Sequence, residues 1–273
     1  MWLPAMFPFI LACKQDFKKF FLLDYLFRLA VIKSRRAEEL ARRIEYNSQR
    51  EMDKLFVCMA VSYKYGGRCI GGVELTKKEN SNSYSIVMEN GLPKWVRPVT
   101  RGTAHGEIPM HLSSTCKVMD IVKLTDVESC PDCAQSENYY FRGIEKVGHL
   151  TANADTLNKL CDTRHSLIFG NRGKAVHPDS YQTMGYSLML IKANDVNFFM
   201  ETRYGTDRKR LRVNFTYNGA SYDLPVTDPK FCELADYGVE NLNGSSAYYL
   251  TISLGVEYEG WHSKLVANVI PLN

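Results

Sequence analysis

From Met52 onward, apolar residues recur with a period of two or in short unbroken runs, separated by turns rich in Gly, Asn and Pro. This is the pattern of strands rather than helices. The clearest stretch runs from Leu211 to Pro229. Leu211, Val213, Phe215 and Tyr217 alternate with Arg212, Asn214 and Thr216, which makes one face of a strand apolar. Asn218-Gly219 supplies the two positive-φ residues of a type I′ turn, and Tyr222, Leu224 and Val226 return on the partner strand. Asp228 stands where a helix N-cap belongs. Pro229 follows at the first helical position, where a missing N–H costs nothing.

Strand, tight turn, strand and capped helix form the middle of an OB-type barrel, in which a helix bridges the third and fourth strands. The earlier half carries an echo: Trp95-Val96-Arg97-Pro98-Val99-Thr100 and Tyr222-Asp223-Leu224-Pro225-Val226-Thr227 share the pattern aromatic-x-x-Pro-Val-Thr. The expected fold is therefore mainly β: two tandem OB-fold-like five-stranded barrels with short helices, preceded by an N-terminal helical extension. The first barrel is expected over 52–150, with strands at 55–63, 68–75, 94–99 and 116–124, a polar insertion at 76–91, and 137–146 closing it. A helix at 151–161, capped by Thr151 or Asn153, and a turn-rich linker over 165–183 fill the connection at 151–185. The second barrel is expected over 186–273, with strands at 186–193, 248–258 and 263–270 around the central hairpin and a helix at 229–237. Residues 196–202 either continue the first of these strands past a bend or add another.

Residues 1–51 differ in character. Their longest uncharged run, Met1 to Cys13, is too short to span a bilayer, is broken by Pro4 and Pro8, and lacks the preceding charge of a signal peptide. Residues 34–50 read as a polar helix with a narrow stripe of Ala37, Leu40, Ala41 and Ile44. The segment holds ten Lys/Arg and six Asp/Glu, the whole of the net charge of +4; the remaining 24 basic and 24 acidic residues cancel. The expectation is that Met52 is the natural initiator and 1–51 lies outside the functional protein. The competing expectation is an amphipathic extension that docks on a membrane or partner. Eight cysteines at irregular spacing do not form a disulfide framework, and Cys58, Cys69, Cys116 and Cys161 lie among apolar residues. A cytoplasmic location and no transmembrane segment are expected.

A charge-neutral pair of barrels removes overall basicity as an argument for nucleic acid and leaves only local patches. Arg208, Lys209, Arg210 and Arg212, with Arg203 and Tyr204 just before them, form the densest basic cluster. Tyr63, Lys64, Tyr65, Arg68, Trp95 and Arg97 offer a similar mixture in the first half. OB barrels bind single strands by stacking bases on aromatics while cations track phosphates. The alternative is a solvated loop for the first set, and for Trp95 a place in the barrel core. Cys130-Pro-Asp-Cys133 has zinc-knuckle spacing, with Cys161 and His165 as further donors. No second CxxC exists, so the pair is read as reduced loop cysteines, with no metal and no cofactor. Gly170 to Lys174 has the wrong spacing for a phosphate loop and is read as a turn. Asp120 with Lys123 is the nearest approach to a nuclease carboxylate, and it lacks an acidic partner. No catalytic constellation emerges, and an enzyme is not expected.

From Met52 to its end the chain resembles the bacterial dual OB-fold-containing domain family, described as two tandem OB folds. The resemblance lies in Ser62-Tyr63-Lys64 with Gly67 and Cys69-Ile70-Gly71-Gly72, in Trp95-Val96-Arg97-Pro98, in Val118 to Val122 with Asp120, and in Glu137-Asn138-Tyr139. In the second half it lies in Arg212 to Tyr217, Thr227-Asp228-Pro229, Tyr249-Leu250-Thr251 to Gly255, and Lys264-Leu265-Val266-Ala267. The resemblance implies nucleic-acid binding by fold analogy and a frequent link to bacterial defence. The expected function is non-catalytic binding of nucleic acid, single-stranded DNA or RNA being favoured. The alternative is a protein-interaction module whose barrels bind a partner protein or peptide.

Overall fold

The structure, a computed structural model, describes residues 31–40, 50–51, 53–81, 83–202, 205 and 207–272. Residues 31–40 are helical and belong to a compact unit of their own, Met1–Arg50; both barrels lie in a second unit, Glu51–Asn273. The expectations about the Phe-rich run, the end of the polar helix and an initiator at Met52 lie outside the described residues. No described helix is long and apolar enough to cross a membrane.

Strands β1 (Lys54–Lys64) and β2 (Gly67–Lys77) open the first barrel as an antiparallel hairpin. Its turn is made by Tyr65 (φ 41°) and Gly66 (φ 83°). Strand β3 (Trp95–Val99) pairs with β2, and a short helix α1 (Met110–Ser113) precedes β4 (Asp120–Thr125), which pairs with β1. Strand β5 (Val127–Ser129) continues β4 past Asp126 (φ 50°). Strands β6 (Asn138–Tyr140) and β7 (Gly143–His149) return antiparallel along β5 and β4. Strand β6 also runs parallel to β3, with Tyr139 opposite Pro98, and this contact closes the barrel. The polar insertion is partly built into the sheet, since Tyr84–Ile86 pairs with β2.

After helix α2 (Ala154–Leu160) and helix α3 (Pro178–Met184), the second barrel is formed by β8 (Leu188–Thr202), β9 (Lys209–Tyr217), β10 (Ala220–Pro225), β11 (Ala247–Tyr258) and β12 (Trp261–Leu272). Helix α4 (Pro229–Ala235) lies between β10 and β11. All strand pairs are antiparallel except the closing bridge, in which Val226 meets Val266 in parallel. The repeated aromatic-x-x-Pro-Val-Thr motif thus sits at one place in both barrels, where the third strand meets the fifth. Pro98 and Pro225 stand at or beyond the end of the antiparallel ladder, where a missing N–H is tolerated.

Asn218 (φ 47°) and Gly219 (φ 75°) make the central turn, and the Asp228 carboxylate accepts from the amides of Lys230 and Phe231. Asn153, not Thr151, caps α2 through the amide of Thr156 at 2.9 Å. Residues 196–202 continue β8 past a bulge between Asn194 and Asn197, where Asp195 has φ 49°. Helix α3 replaces part of the expected linker: Pro178 sits at its start, and the His177 ring accepts from the Asp179 amide.

Three apolar cores explain the runs. Phe56, Cys58, Ile70, Val96, Val122 and Leu124 fill the first barrel, while Ile191, Phe198, Val213, Phe215, Leu224 and Ile252 fill the second. A third core lies between the barrels: Val57, Met59, Val73 and Ile121 of the first meet Leu190, Tyr249 and Ile270 of the second, with Leu157, Leu160 and Cys161 from α2. Strand β1 is therefore buried on both faces, which is why Leu55 to Val61 shows no alternation. Glycine is required where β1, β2 and the second barrel crowd together. A Cβ on Gly72 would run into the Val57 carbonyl and the Phe56 ring, and one on Gly71 would lie 2.9 Å from Leu188 Cδ1.

Candidate nucleic-acid interface

The hairpin between β1 and β2 carries aromatic rings into solvent. Tyr63 and Tyr65 are 48% and 65% exposed. Tyr63 is the cross-strand partner of Arg68, whose guanidinium carbon lies 4.5 Å from the Tyr63 ring centroid. Tyr65 stacks on His105, with centroids 4.1 Å apart. Nearby, Arg101 lies over the Tyr140 ring at 4.2 Å and pairs with Glu128. Each pair joins an aromatic face to a cationic or ring partner, an arrangement suited to stacking flat bases.

The hairpin is held in place from across the barrel junction, since the Tyr63 amide donates to the Thr227 carbonyl at 3.1 Å. Beside it a cleft of about 560 Å³ opens between the barrels. One wall is Lys64, the loop with Arg101 and His105, and the loop with Cys130, Cys133 and Gln135; the other is Val256, Glu257 and His262 with Tyr181 of α3. The rings of His262 and Tyr181 stack at 3.5 Å. Burial lowers the pKa of the Lys64 amine from its ordinary value. Burial raises the Cys130 thiol to about 11 and raises the Cys133 thiol too, so both are held protonated.

The predicted residues separate. Tyr63, Lys64 and Arg68 come together on the hairpin. Trp95 is half-buried and packs against the core between the barrels. Arg97 and Arg212, expected on the nucleic-acid-binding surface, are buried, and their place on that surface is corrected. Arg97 Nη2 is 3.1 Å from Glu137 Oε1 and donates to Ser187 Oγ at 2.8 Å, while Ser187 in turn donates to Glu137. Arg212 donates from Nε to Asp223 Oδ1 at 2.7 Å and from Nη2 to the Asp223 carbonyl at 2.9 Å, and its Nη1 lies 3.6 Å from Glu201. With carboxylates on two sides, the Arg212 guanidinium has no face left for a phosphate. Arg210 pairs with Glu201 at 2.6 Å, and Lys209 and Arg208 are exposed. Arg203 and Tyr204 lie outside the described residues. None of 208–212 lines the cleft.

Arg101, His105, Tyr140 and His262 were missed by sequence reasoning. The signal for Arg101 was available, since it directly follows the repeated motif and so leaves the end of the third strand. Of the zinc candidates, Cys130 and Cys133 line the cleft while Cys161 lies in the core between the barrels. Among the described residues no group of three or more His, Cys, Asp or Glu side chains is placed to hold a metal. Asp120 is buried against Lys146 at 2.7 Å and His149 at 2.9 Å, an ion-paired strand residue.

The family described as "Dual OB-containing domain" matches residues 54–269. No curated protein matches the chain. Among solved structures, a HINa domain in complex with 20bp dsDNA is similar at 7% identity and a TM-score of 0.34, covering 81% of this chain and 95% of that one. A HINb domain gives 11% and 0.32, with coverage of 82% and 97%. A deletion mutant of the single-stranded DNA binding protein from Thermus aquaticus gives 10% and 0.20, with 82% and 95%. The tandem-barrel architecture rests on the strand pairing and the family match, and these distant likenesses add nothing to it.

Proposed function

Since the chain belongs to the dual OB-containing domain family, we propose that it binds single-stranded nucleic acid, without catalysis, along the β1–β2 hairpin and the cleft beside it. The observation that carries this reading is the exposure of Tyr63 and Tyr65 at one hairpin end, with Lys64 between them and Arg68 opposite Tyr63. Bases would stack on the two rings while Lys64, Arg68 and Arg101 follow the phosphates. A bacterial, defence-related setting accompanies this reading as what the family resemblance implies, and a cytoplasmic one as what the irregularly spaced cysteines suggest. The test is Tyr63→Ala/Tyr65→Ala, followed by fluorescence anisotropy with DNA and RNA oligonucleotides over a salt series. Loss of two stacking positions, each about 1–3 kcal/mol, should weaken binding without changing the salt slope. Unchanged affinity in the folded variant would remove the hairpin from the interface.

One observation favours a protein partner instead. Tyr258 and Trp261, at the tip of the β11–β12 hairpin, are 71% and 49% exposed, and Val256 beside them is half-open. An apolar tip on charge-neutral barrels suits a protein surface. Under this second reading, Tyr258→Ser/Trp261→Ser abolishes partner capture while oligonucleotide affinity is absent from the start.

A further inference from the structure

Next to the cleft, and sharing Lys64, Gln135 and Val256 with it, lies a smaller pocket of about 330 Å³ between the two barrels. Its polar lining comes from Ser62, Lys64 and Arg97 on one side and Thr227, Ser253 and Ser263 on the other, and no Asp or Glu lines it. Two features set it apart from an ordinary crevice. Arg97 is 1% exposed, and its Nε, unlike its Nη2, has no hydrogen-bond partner. A buried N–H without an acceptor is costly and uncommon. Lys64 makes no hydrogen bond or ion pair with any described residue, although burial disfavours its charge. Two neighbouring acids are already engaged: Glu137 with Arg97 and Ser187, and Glu107 with the His105 amide. The pocket thus holds an unused charge and an unused donor, with hydroxyls around them.

We propose that this pocket receives the terminal phosphate of a nucleic-acid strand whose bases lie on Tyr63 and Tyr65. Lys64 meets the phosphate charge, Arg97 Nε and the Ser62 hydroxyl donate to its oxygens, the Ser253 hydroxyl turns to them from its 3.3 Å bond to the Leu254 carbonyl, and Glu137 holds the guanidinium from behind. The space suits a sugar–phosphate end rather than a through-running chain, being near the lower size of small-ligand sites. The inference rests on the nucleic-acid reading, extending it from strand binding to recognition of a strand end.

The experiment uses the full chain and oligonucleotides of about 12 nucleotides, ending in 5′-phosphate, 3′-phosphate or hydroxyl. One phosphorylated end should bind about tenfold tighter than the hydroxyl-ended strand. Ser62→Ala/Ser253→Ala should erase that preference and leave hydroxyl-ended binding unchanged. In parallel, inorganic phosphate should raise the Tm of the wild-type chain saturably, and not that of the double variant. Equal affinity for all ends with no phosphate stabilisation overturns the pocket. Phosphate stabilisation without end discrimination overturns the strand-end assignment in favour of free phosphate. Phosphate stabilisation with no oligonucleotide binding at all overturns the strand-binding reading, and the strand-end assignment with it, while the anion pocket stands.

Discussion

The hydroxyl of Thr251 donates to the carbonyl of Met59 at 2.7 Å, and the two residues belong to different barrels. Met59 sits at a bulge in β1, where pairing with β2 skips from Cys58 to Ala60. The displaced carbonyl is met by the neighbouring barrel, inside the core the barrels share.

Thr251→Val keeps the side chain's shape, removes the donor and leaves a buried carbonyl unmatched. It should cost about 1–3 kcal/mol in urea unfolding. Because the shared core couples the barrels, calorimetry of the wild type should show one transition for residues 52–273. Two resolved transitions would show that the barrels fold independently.

Lys264 is fully buried, yet its Nζ donates to the carbonyls of Ile168 and Asn171 and to Asn171 Oδ1 at 2.7–2.9 Å. These bonds tie the linker to the second barrel. Burial lowers its pKa from 10.5 to about 8. Between those values the unfolded chain binds the proton and the folded chain does not, so Lys264 makes stability rise with pH through that window. Lys264→Met should remove the rise and, by stranding three acceptors, lower stability at pH 7. Chemical unfolding at several pH values from about 7 to 10.5 checks both effects.

The Asp120 carboxyl is also shifted down, but by its partners rather than by burial. Burial raises its pKa, but hydrogen bonds from Lys146, His149 and the Lys117 amide outweigh this and hold it below the ordinary 3.8. Its stabilising contribution is present above the unfolded value and is lost as pH falls through the lower folded one. Asp120→Asn should therefore flatten the acid limb of the stability curve below about pH 4 and cost about 1–3 kcal/mol near neutrality. An acid limb identical to wild type would show that this cluster does not set it.

On β9, neighbouring cations should behave as different kinds of residue. Arg212→Ala removes a buried guanidinium and its hydrogen bonds to the part-exposed Asp223, which keeps Lys174, and should destabilise by about 1–3 kcal/mol. Lys209→Ala, at an exposed position, should leave stability within about 0.5 kcal/mol. If Lys209→Ala also leaves the salt slope of oligonucleotide binding unchanged, β9 takes no part in tracking phosphates.

The hairpin at 211–226, its Asn218-Gly219 turn and the Asp228 cap are settled by residues within a few positions of one another, so the sequence alone determines them. The repeated Pro-Val-Thr motif belongs with them, since the strand end that meets the fifth strand makes the same demand in both barrels. Period-two alternation also shows which side chains share a face. It does not show what that face meets. Arg97 and Arg68 look alike as cations beside aromatics; one lies against Ser187, ninety residues further on, and the other lies over a ring on its own hairpin. Leu55 to Val61 could be read as buried, but not as buried between two barrels. The cleft, the pocket beside it and the buried Lys264 likewise join segments that only barrel closure and barrel–barrel packing bring together. Such contacts depend on shape complementarity across long separations, which local pattern does not encode.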